Sequence, residues 1–336
     1  MKEHLKLRIK NIIYETEDAV SIFFKQPFFR KLKYKSGQFL TVTFTIEGRE
    51  YRRAYSINSA QGVDDDISIT IKKVKGGVIS NFIFHHLKKG DSIRVMPPMG
   101  SFILETEKQN RRNIVLFGAG SGITPLMSIL KTALYFEPES CVTLIYSNKT
   151  ESSIIFREQL FIYKERFADR IFIKHLLSES DERFRKENIE AYLSINPFYK
   201  HENAVFYLCG PESYMESIRQ GLTDLRIKDE KILNESFTAK KLEAEREYKV
   251  VFKTKGQVET AQIPAGKSIL DVGLDLGLRM KFSCFNGQCG TCKSRCVTGK
   301  VKMAVDNILT HEEKSQGFVL PCVSYPASDD VVIEYE

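Results

Sequence analysis

The chain has 336 residues, 42% hydrophobic and 28% charged, with a formal net charge of +7. That length points to two or three domains, and the composition suits buried cores rather than disorder. Residues 248–336 hold 11 Lys and Arg against 10 Asp and Glu, so nearly all the excess charge lies in residues 1–247, scattered without a basic block; nucleic-acid binding is not expected, whereas phosphate-bearing cofactors or an acidic protein partner would suit such a surface.

The opening MKEHLKLRIKNIIYETE alternates charged and apolar residues instead of presenting the apolar run of a signal peptide. No stretch approaches the ~20 apolar residues of a membrane span. A cytoplasmic protein without membrane association is expected. In a reducing compartment, clustered cysteines serve metals or catalysis more often than disulfides.

The first hundred residues read as short alternating strands, KLRIKNII, AVSIFF, GQFLTVTF, DISITIKKV and DSIRVMPP, separated by glycine and proline turns, which predicts an antiparallel β-barrel or sandwich. In YRRAYSIN, strand alternation sends Arg53 and Tyr55 to one face, a cation for phosphate beside an aromatic surface; an exposed basic stripe is the plainer alternative. In IKKVKGGVISNFIFHHL, Gly76 and Gly77 precede a predicted helix carrying Ser80, so amides and a hydroxyl are placed for a pyrophosphate. His85 and His86 diverge on that helix and are read as surface or packing residues.

From Asn113 the pattern changes. NIVLF, CVTLIYS, IFIKHLL and AVFYLCG are apolar strands separated by helix-like segments, which predicts a parallel α/β sheet. Gly118, Gly120 and Gly122 lie between the first strand and its helix, where amides and a positive helix end can face a pyrophosphate. Thr124 is expected to cap that helix, with Pro125 in its first turn. Cys209, Gly210 and Pro211 end a further strand, where open α/β sheets bind ligands; taken alone, Cys209 reads as a packed thiol. TAKKLEAERE, residues 238–247, reads as a solvated linker or a short surface helix.

Beyond it, YKVVFKT and QVETAQIP form a predicted hairpin, SILDVGLDLG a short amphipathic helix and DVVIEY a closing strand. Cys284, Cys289 and Cys292 follow the Cys-x4-Cys-x2-Cys spacing of plant-type 2Fe-2S sites, with Cys322 later in the chain. Gly287 and Gly290 let the backbone turn and approach sulfur closely. A four-cysteine zinc is the alternative, although zinc sites usually pair short Cys-x2-Cys knuckles. Cys296 sits in an alternating segment and is expected to be a buried inert thiol.

Residues 248–336, including LPCVSYP, resemble a plant-type ferredoxin of the β-grasp fold, which implies a one-electron carrier. GAGSGITP and CGP resemble the pyridine-nucleotide domain of the ferredoxin-NADP reductase superfamily, and Arg53-Ala54-Tyr55-Ser56 resembles its flavin motif. By that resemblance Gly118, Gly120, Gly122, Thr124 and Pro125 cradle the nucleotide, and Cys209, Gly210 and Pro211 border the nicotinamide. Glu235 and Phe237 approach the nicotinamide and the flavin ring, and Ser56 hydrogen-bonds the flavin N5. Lys73, Val74, Gly76, Gly77, Val78, Ile79 and Ser80 hold the flavin. Ser56, Cys209 and Glu235 are thereby the catalytic candidates.

FMN-using relatives of the phthalate dioxygenase reductase type share this domain order, but IKKVKGGVIS and VMPPMGSF look closer to FAD-using members, so FAD is expected. The choice between NADPH and NADH should fall near Ser147, Asn148 and Lys149; Lys149 and Arg157 are cations for a 2'-phosphate, which favours NADPH. A hydride donor feeding a one-electron cluster needs a flavin to divide the pair.

The expected order is a flavin β-barrel in residues 1–108, an NAD(P)-binding α/β domain in 109–237, the linker 238–247 and a ferredoxin domain in 248–336. This resembles the reductase components of multicomponent oxygenases, the phenylacetyl-CoA epoxidase type included. It implies hydride transfer from NADPH or NADH to FAD, then single electrons through a 2Fe-2S cluster to a transiently docked oxygenase. A reductase for another hydroxylase, a desaturase or a soluble carrier is the alternative; a zinc-stabilised binding module on the same scaffold is the non-enzyme one.

Overall fold

Strands whose every second residue is Val, Ile, Leu or Phe must turn that face away from water, and each such side chain fully buried contributes about 1.5–3 kcal/mol. The computed structural model describes residues 5–26, 31–238, 242, 246–254 and 256–335. It divides into two units, Met1–Ser236 and Phe237–Glu336. Of the expected linker, residues 239–241 and 243–245 lie outside the described residues.

In the first unit, β1 (Leu5–Thr16), β2 (Ala19–Lys25), β3 (Phe39–Ile46), β4 (Arg49–Ser56), β5 (Ile67–Lys72), helix α1 (Val78–His86) and β6 (Ser92–Val95) open the chain. The strands pair antiparallel in the order β4-β3-β6-β1-β2-β5. The two edges then meet, because Ile57 bridges Ile69 and the Asn58 amide donates to the Ser68 carbonyl at 3.0 Å, closing the expected antiparallel barrel. Val20, Ile22 and Phe24 point into its core with Ile69 and Ile71, and α1 plugs it with Ile79 and Ile83.

The same unit continues through β7 (Asn113–Ala119), α2 (Ile123–Phe136), β8 (Cys141–Asn148), α3 (Arg157–Arg166), β9 (Ile171–Leu177), α4 (Ile189–Leu193), β10 (Ala204–Cys209), α5 (Glu212–Asp224) and β11 (Ile232–Glu235). The sheet is wholly parallel, ordered β11-β10-β7-β8-β9. Strand order reverses between β7 and β10, so the carboxyl ends of these two strands form the crevice where such sheets take ligands. One core lies under α2 and another under α4 and α5.

Barrel and sheet share packing. Phe102 and Leu104 enter the core beneath α2, and the buried Lys131 of α2 pairs with Asp64 at 3.0 Å. The Ser128 hydroxyl donates to the Ser59 carbonyl at 2.5 Å.

The second unit contains β12 (Tyr248–Thr254), β13 (Gln257–Ile263), α6 (Ile269–Asp275), β14 (Ser294–Thr298), β15 (Val301–Met303), α7 (His311–Ser315), β16 (Phe318–Val319), β17 (Ser324–Pro326) and β18 (Val331–Glu334). Its mixed sheet runs β13-β12-β18-β14-β16, and β15 pairs with β17. Helix α6 begins where Ser268 and Asp271 exchange hydrogen bonds in a capping box. Its Ile269, Leu270 and Val272 then pack on the sheet with Val250 and Ile333, as the predicted β-grasp requires.

Candidate flavin, nucleotide and cluster sites

Four of the predicted site residues converge at the sheet's carboxyl edge. In strand register Cys209 of β10 lies opposite both Gly118 of β7 and Glu235 of β11. The Ser56 hydroxyl, from the last residue of β4, donates to Glu235 Oε2 at 3.0 Å. Ser56 is 4% exposed and Glu235 2%, so this polar contact is shielded from water. Burial, reinforced by the Glu235 carboxylate, holds the Cys209 thiol well above its ordinary value and therefore neutral.

The glycine turn sits directly on this row. A Cβ at Gly122 would be driven into the Cys209 carbonyl, whereas Gly120 adopts φ +52° in open space. Two tyrosines outside the predicted set clasp the turn: the hydroxyl of Tyr146 donates to the Gly120 carbonyl at 2.9 Å and that of Tyr214 to the Gly118 carbonyl at 3.1 Å. Both tyrosines sit among apolar strand or helix residues and gave no local signal.

Thr124 does not cap α2. The capping position is Gly122, with no side-chain hydrogen bond, and Thr124, two residues on, donates to the Ser121 carbonyl at 3.0 Å. The tight contact with Cys209 demands glycine at that position, and the first amides of a 14-residue helix are left without a side-chain cap. Pro125 lies in the first turn as expected. An uncapped helix start beside close-packed glycines fits an anionic pyrophosphate.

At the end of β8, Asn148 is 8% exposed, and both atoms of its amide are buried without hydrogen-bond partners, near the Tyr146 hydroxyl but out of bonding geometry. Such a group is costly unless a ligand satisfies it. Lys149 is exposed, but Arg157 is ion-paired with Glu151. Glu179, absent from the sequence expectations, donates its amide to the Lys149 carbonyl at 3.0 Å, and its carboxylate accepts from the Glu151 amide at 3.2 Å.

On β4, burial pushes the Tyr55 phenol up to about 12 against the opposing pull of Arg53. Arg53 is exposed and Ala54 half-buried between them. The Ser80 hydroxyl accepts from the Val74 amide at 3.1 Å and so braces the turn before α1, rather than standing open for phosphate. Lys73 donates its amide to Asp18, Gly76 has φ +73°, and Gly77 occupies the helix-capping position without a side-chain bond. Ile79 is buried, while Val74 and Val78 are exposed, giving this turn an apolar face beside an uncapped helix start. His85 and His86 are exposed, the latter against Phe82. Phe237 is 43% exposed and belongs to the second unit.

In the second unit the cluster loop turns through positive φ at Phe285, Gly287 and Gly290. The Cys292 and Cys322 sulfurs lie 3.4 Å apart, and the Cys284 thiol is within hydrogen-bonding reach of Cys289 and Cys322. Those two thiols, with the amides of Asn286 and Gln288, hold the Cys284 thiol far below its ordinary value despite burial. The Thr291 amide points at the Cys289 sulfur at 3.5 Å.

Among the described residues no three His, Cys, Asp or Glu side chains gather as ligands of one ion. The four thiols instead form one chain of contacts, Cys289 to Cys284 to Cys322 to Cys292, a four-thiolate donor set suited to two bridged irons. Cys296 stands apart on β14, half-buried rather than fully buried as expected, its thiol bonded to the Thr298 carbonyl at 3.1 Å. The strand bulges between Cys296 and Thr298, and Cys296 packs against the edge of the core.

Comparison with known proteins follows the same three parts. The oxidoreductase FAD-binding domain family matches residues 6–103, the oxidoreductase NAD-binding domain family 116–220, and the 2Fe-2S iron-sulfur cluster binding domain family 252–327. A 1,2-phenylacetyl-CoA epoxidase subunit from Escherichia coli K12 is 31% identical, covering 98% of this chain and 97% of its own. The ferredoxin reductase component of 3-ketosteroid-9-alpha-monooxygenase from Mycobacterium tuberculosis H37Rv is 32% identical, covering 99% and 96%. The solved structure of phthalate dioxygenase reductase shares the fold, with a TM-score of 0.68 at 23% identity over 98% of both chains. The chain belongs to the family of ferredoxin reductase components of oxygenase systems, oxidoreductases that join FAD, a pyridine nucleotide and a 2Fe-2S cluster in one polypeptide.

Proposed function

We propose that this reductase supplies single electrons to an oxygenase of the phenylacetyl-CoA epoxidase kind, and that the residues converging on Ser56 and Glu235 form its hydride-transfer site. The buried 3.0 Å bond between those two side chains carries the reading, because it ties the end of the flavin strand to the sheet edge that takes the nucleotide. When bound, the flavin accepts hydride and releases electrons one at a time, and the cluster relays them.

In this reading Arg53, Ala54, Tyr55 and Ser56, with Lys73, Val74 and residues 76–79, hold the flavin, and Ser80 braces their turn. Tyr55 stays protonated at neutral pH and offers a ring face, and Arg53 offers charge to phosphate. Gly118, Gly120, Gly122, Thr124 and Pro125 present the amides of the α2 start to the nucleotide pyrophosphate. Cys209, Gly210 and Pro211 wall the nicotinamide. Cys209 is neutral there and adds bulk without charge, while Glu235 holds the Ser56 proton in place and excludes water. Cys284, Cys289, Cys292 and Cys322 ligate the cluster. In this reading the flavin module ends at residue 108, the nucleotide module runs from 109 to 237 and the ferredoxin module begins at 248.

Around the adenosine end Glu151 and Glu179 offset Lys149 and Arg157, so a dianionic 2'-phosphate meets no net positive charge. The unpartnered Asn148 amide suits a ribose diol, and NADH is the preferred donor in this reading. None of the seven cysteines is joined in a disulfide, which accords with a cytoplasmic setting. No helix among the described residues is long and apolar enough to cross a membrane.

The test is a visible spectrum of freshly purified protein followed by anaerobic addition of NADH, then turnover with the oxygenase component of phenylacetyl-CoA epoxidase. Flavin and cluster bands that bleach with NADH, and NADH-dependent oxygenation, are expected. Colourless protein containing zinc would overturn the reductase assignment; bleaching without turnover would overturn only the partner.

A further inference from the structure

Three hydroxyls hold the glycine turn between β7 and α2. Tyr214 of α5 donates to the Gly118 carbonyl at 3.1 Å, Tyr146 of β8 to the Gly120 carbonyl at 2.9 Å, and Thr124 to the Ser121 carbonyl at 3.0 Å. The two phenols reach the turn from opposite faces of the parallel sheet, Tyr146 out of the core under α2 and Tyr214 from the core under α4 and α5. A carbonyl oxygen can only accept, so each phenol directs its single proton at the turn. Burial pushes both phenols above their ordinary value, and the proton therefore stays in place at neutral pH.

These bonds fix a set of peptide planes. The N–H of a trans peptide points away from its C=O, so a held Gly118 carbonyl sets the direction of the Ala119 amide, Gly120 that of Ser121, and Ser121 that of Gly122. The backbone is extended at Ala119, turns through φ +52° at Gly120 and is helical at Gly122, with φ −61° and ψ −13°. A left-handed residue leading into right-handed ones gathers successive amides into a concavity that takes an anion. Packing does not stiffen this turn at Gly120, where an added Cβ would meet nothing within 4 Å. The restraint there comes from the carbonyl bonds. At Gly210 an added Cβ would stand 3.1 Å from the Tyr214 ring, so the Cys-Gly-Pro ending of β10 leaves room for that tyrosine.

We infer that Tyr146 and Tyr214 are positioning residues of the coenzyme site, whose hydroxyls hold the amides of the glycine turn in the arrangement that receives a pyrophosphate. The inference rests on the reductase reading above and adds two residues to its nucleotide site. A turn already ordered does not have to be ordered by the coenzyme, so loss of either hydroxyl appears as weaker binding and not as a slower limiting hydride step.

The experiment uses the complete holoprotein with Tyr146→Phe and Tyr214→Phe, which keep the rings and remove only the hydroxyls. Tyr207→Phe is the control, because its phenol donates to the Ile103 carbonyl at 3.1 Å, a bond of the same kind outside the turn. NADH is the substrate, and ADP and adenosine, the latter without phosphate, are the competing probes. Each variant at the turn should raise the KM for NADH and the Ki of ADP about fivefold to tenfold. The Ki of adenosine should move less than about twofold, within what a bond elsewhere would give. The limiting rate at which saturating NADH bleaches the flavin should stay the same, and the Tyr207 variant should bind ADP as the unaltered protein does.

An unchanged Ki for ADP in one variant would remove that residue from the inference, and in both would overturn it. Equal losses for adenosine and ADP, or an equal loss in the Tyr207 variant, would also overturn it, because each marks a general loosening of the sheet. Failure of both variants to fold would assign the phenols to stability alone, with the same consequence. Should a variant fold without flavin, calorimetric titration with ADP carries the same comparison. Unaltered protein whose flavin NADH fails to bleach would sink the reductase reading itself, an outcome seen before any substitution is made.

Discussion

Glu235, at the end of the last parallel strand, accepts a 3.0 Å hydrogen bond from Ser56, at the end of a barrel strand 179 positions earlier, and both side chains are buried. A hydroxyl held this way cannot rotate freely, and a buried carboxylate that accepts it loses part of its desolvation cost. The bond therefore fixes the geometry between the barrel and the parallel sheet of the first unit.

Ser56→Ala should slow reduction of the bound flavin by NADH about tenfold or more, equivalent to ~1.4 kcal/mol of barrier. Flavin content should be unchanged. Stopped-flow absorbance separates the two, and a normal reduction rate would remove Ser56 from the site.

Glu179→Arg should shift the ratio of kcat/KM for NADPH over NADH upward by roughly tenfold, about 1.4 kcal/mol, because it replaces an anion beside Lys149 with a cation. Steady-state kinetics with both coenzymes checks this. A ratio that stays put would place the ribose elsewhere.

Gly122→Ala and Gly120→Ala should behave differently. At Gly122 the new methyl meets backbone at Cys209, so about 1–3 kcal/mol of stability and most nucleotide affinity should be lost. At Gly120 there is space, and the cost is the left-handed backbone alone, about 1–2 kcal/mol. Urea unfolding together with coenzyme titration distinguishes a packing clash from conformational strain.

Cys289→Ser should remove the cluster absorbance and bound iron while leaving NADH reduction of the flavin intact. Cys296→Ser should keep both, since that thiol bonds only locally to the Thr298 carbonyl. Iron analysis and the visible spectrum read the outcome. Loss of the cluster in the Cys296 variant would redraw the ligand set.

Burial pushes the phenols of Tyr34, Tyr55 and Tyr207 up to about 12. Their folded values exceed the unfolded value near 10, so the unfolded chain releases these protons first as pH rises. Their contribution to stability is complete below about pH 10 and is lost between about pH 10 and 12. Urea midpoints at pH 9, 10 and 11 should fall progressively, and Tyr34→Phe should make the fall shallower. Equal midpoints would contradict the burial assigned to these rings.

Much of the candidate site was legible because its signals are local. The three glycines before α2, the Cys-Gly-Pro ending of β10 and the crowded cysteines each occupy a few consecutive positions, and a turn or a metal loop is built from near neighbours. The Thr124 expectation failed on the same ground. A threonine before a helix is a good cap on average, but here the close approach of Cys209 leaves room only for glycine at the capping position.

By itself the sequence determined the three kinds of architecture, the glycine turn after β7 and the spacing of the four cysteines, since strand period, glycine placement and thiol spacing act over short range. Tertiary structure alone decided that Ser56 meets Glu235, that Tyr146 and Tyr214 hold the glycine turn, and that Glu179 sits beside Lys149. Those contacts depend on strand order and register, which bring together residues that no local pattern connects.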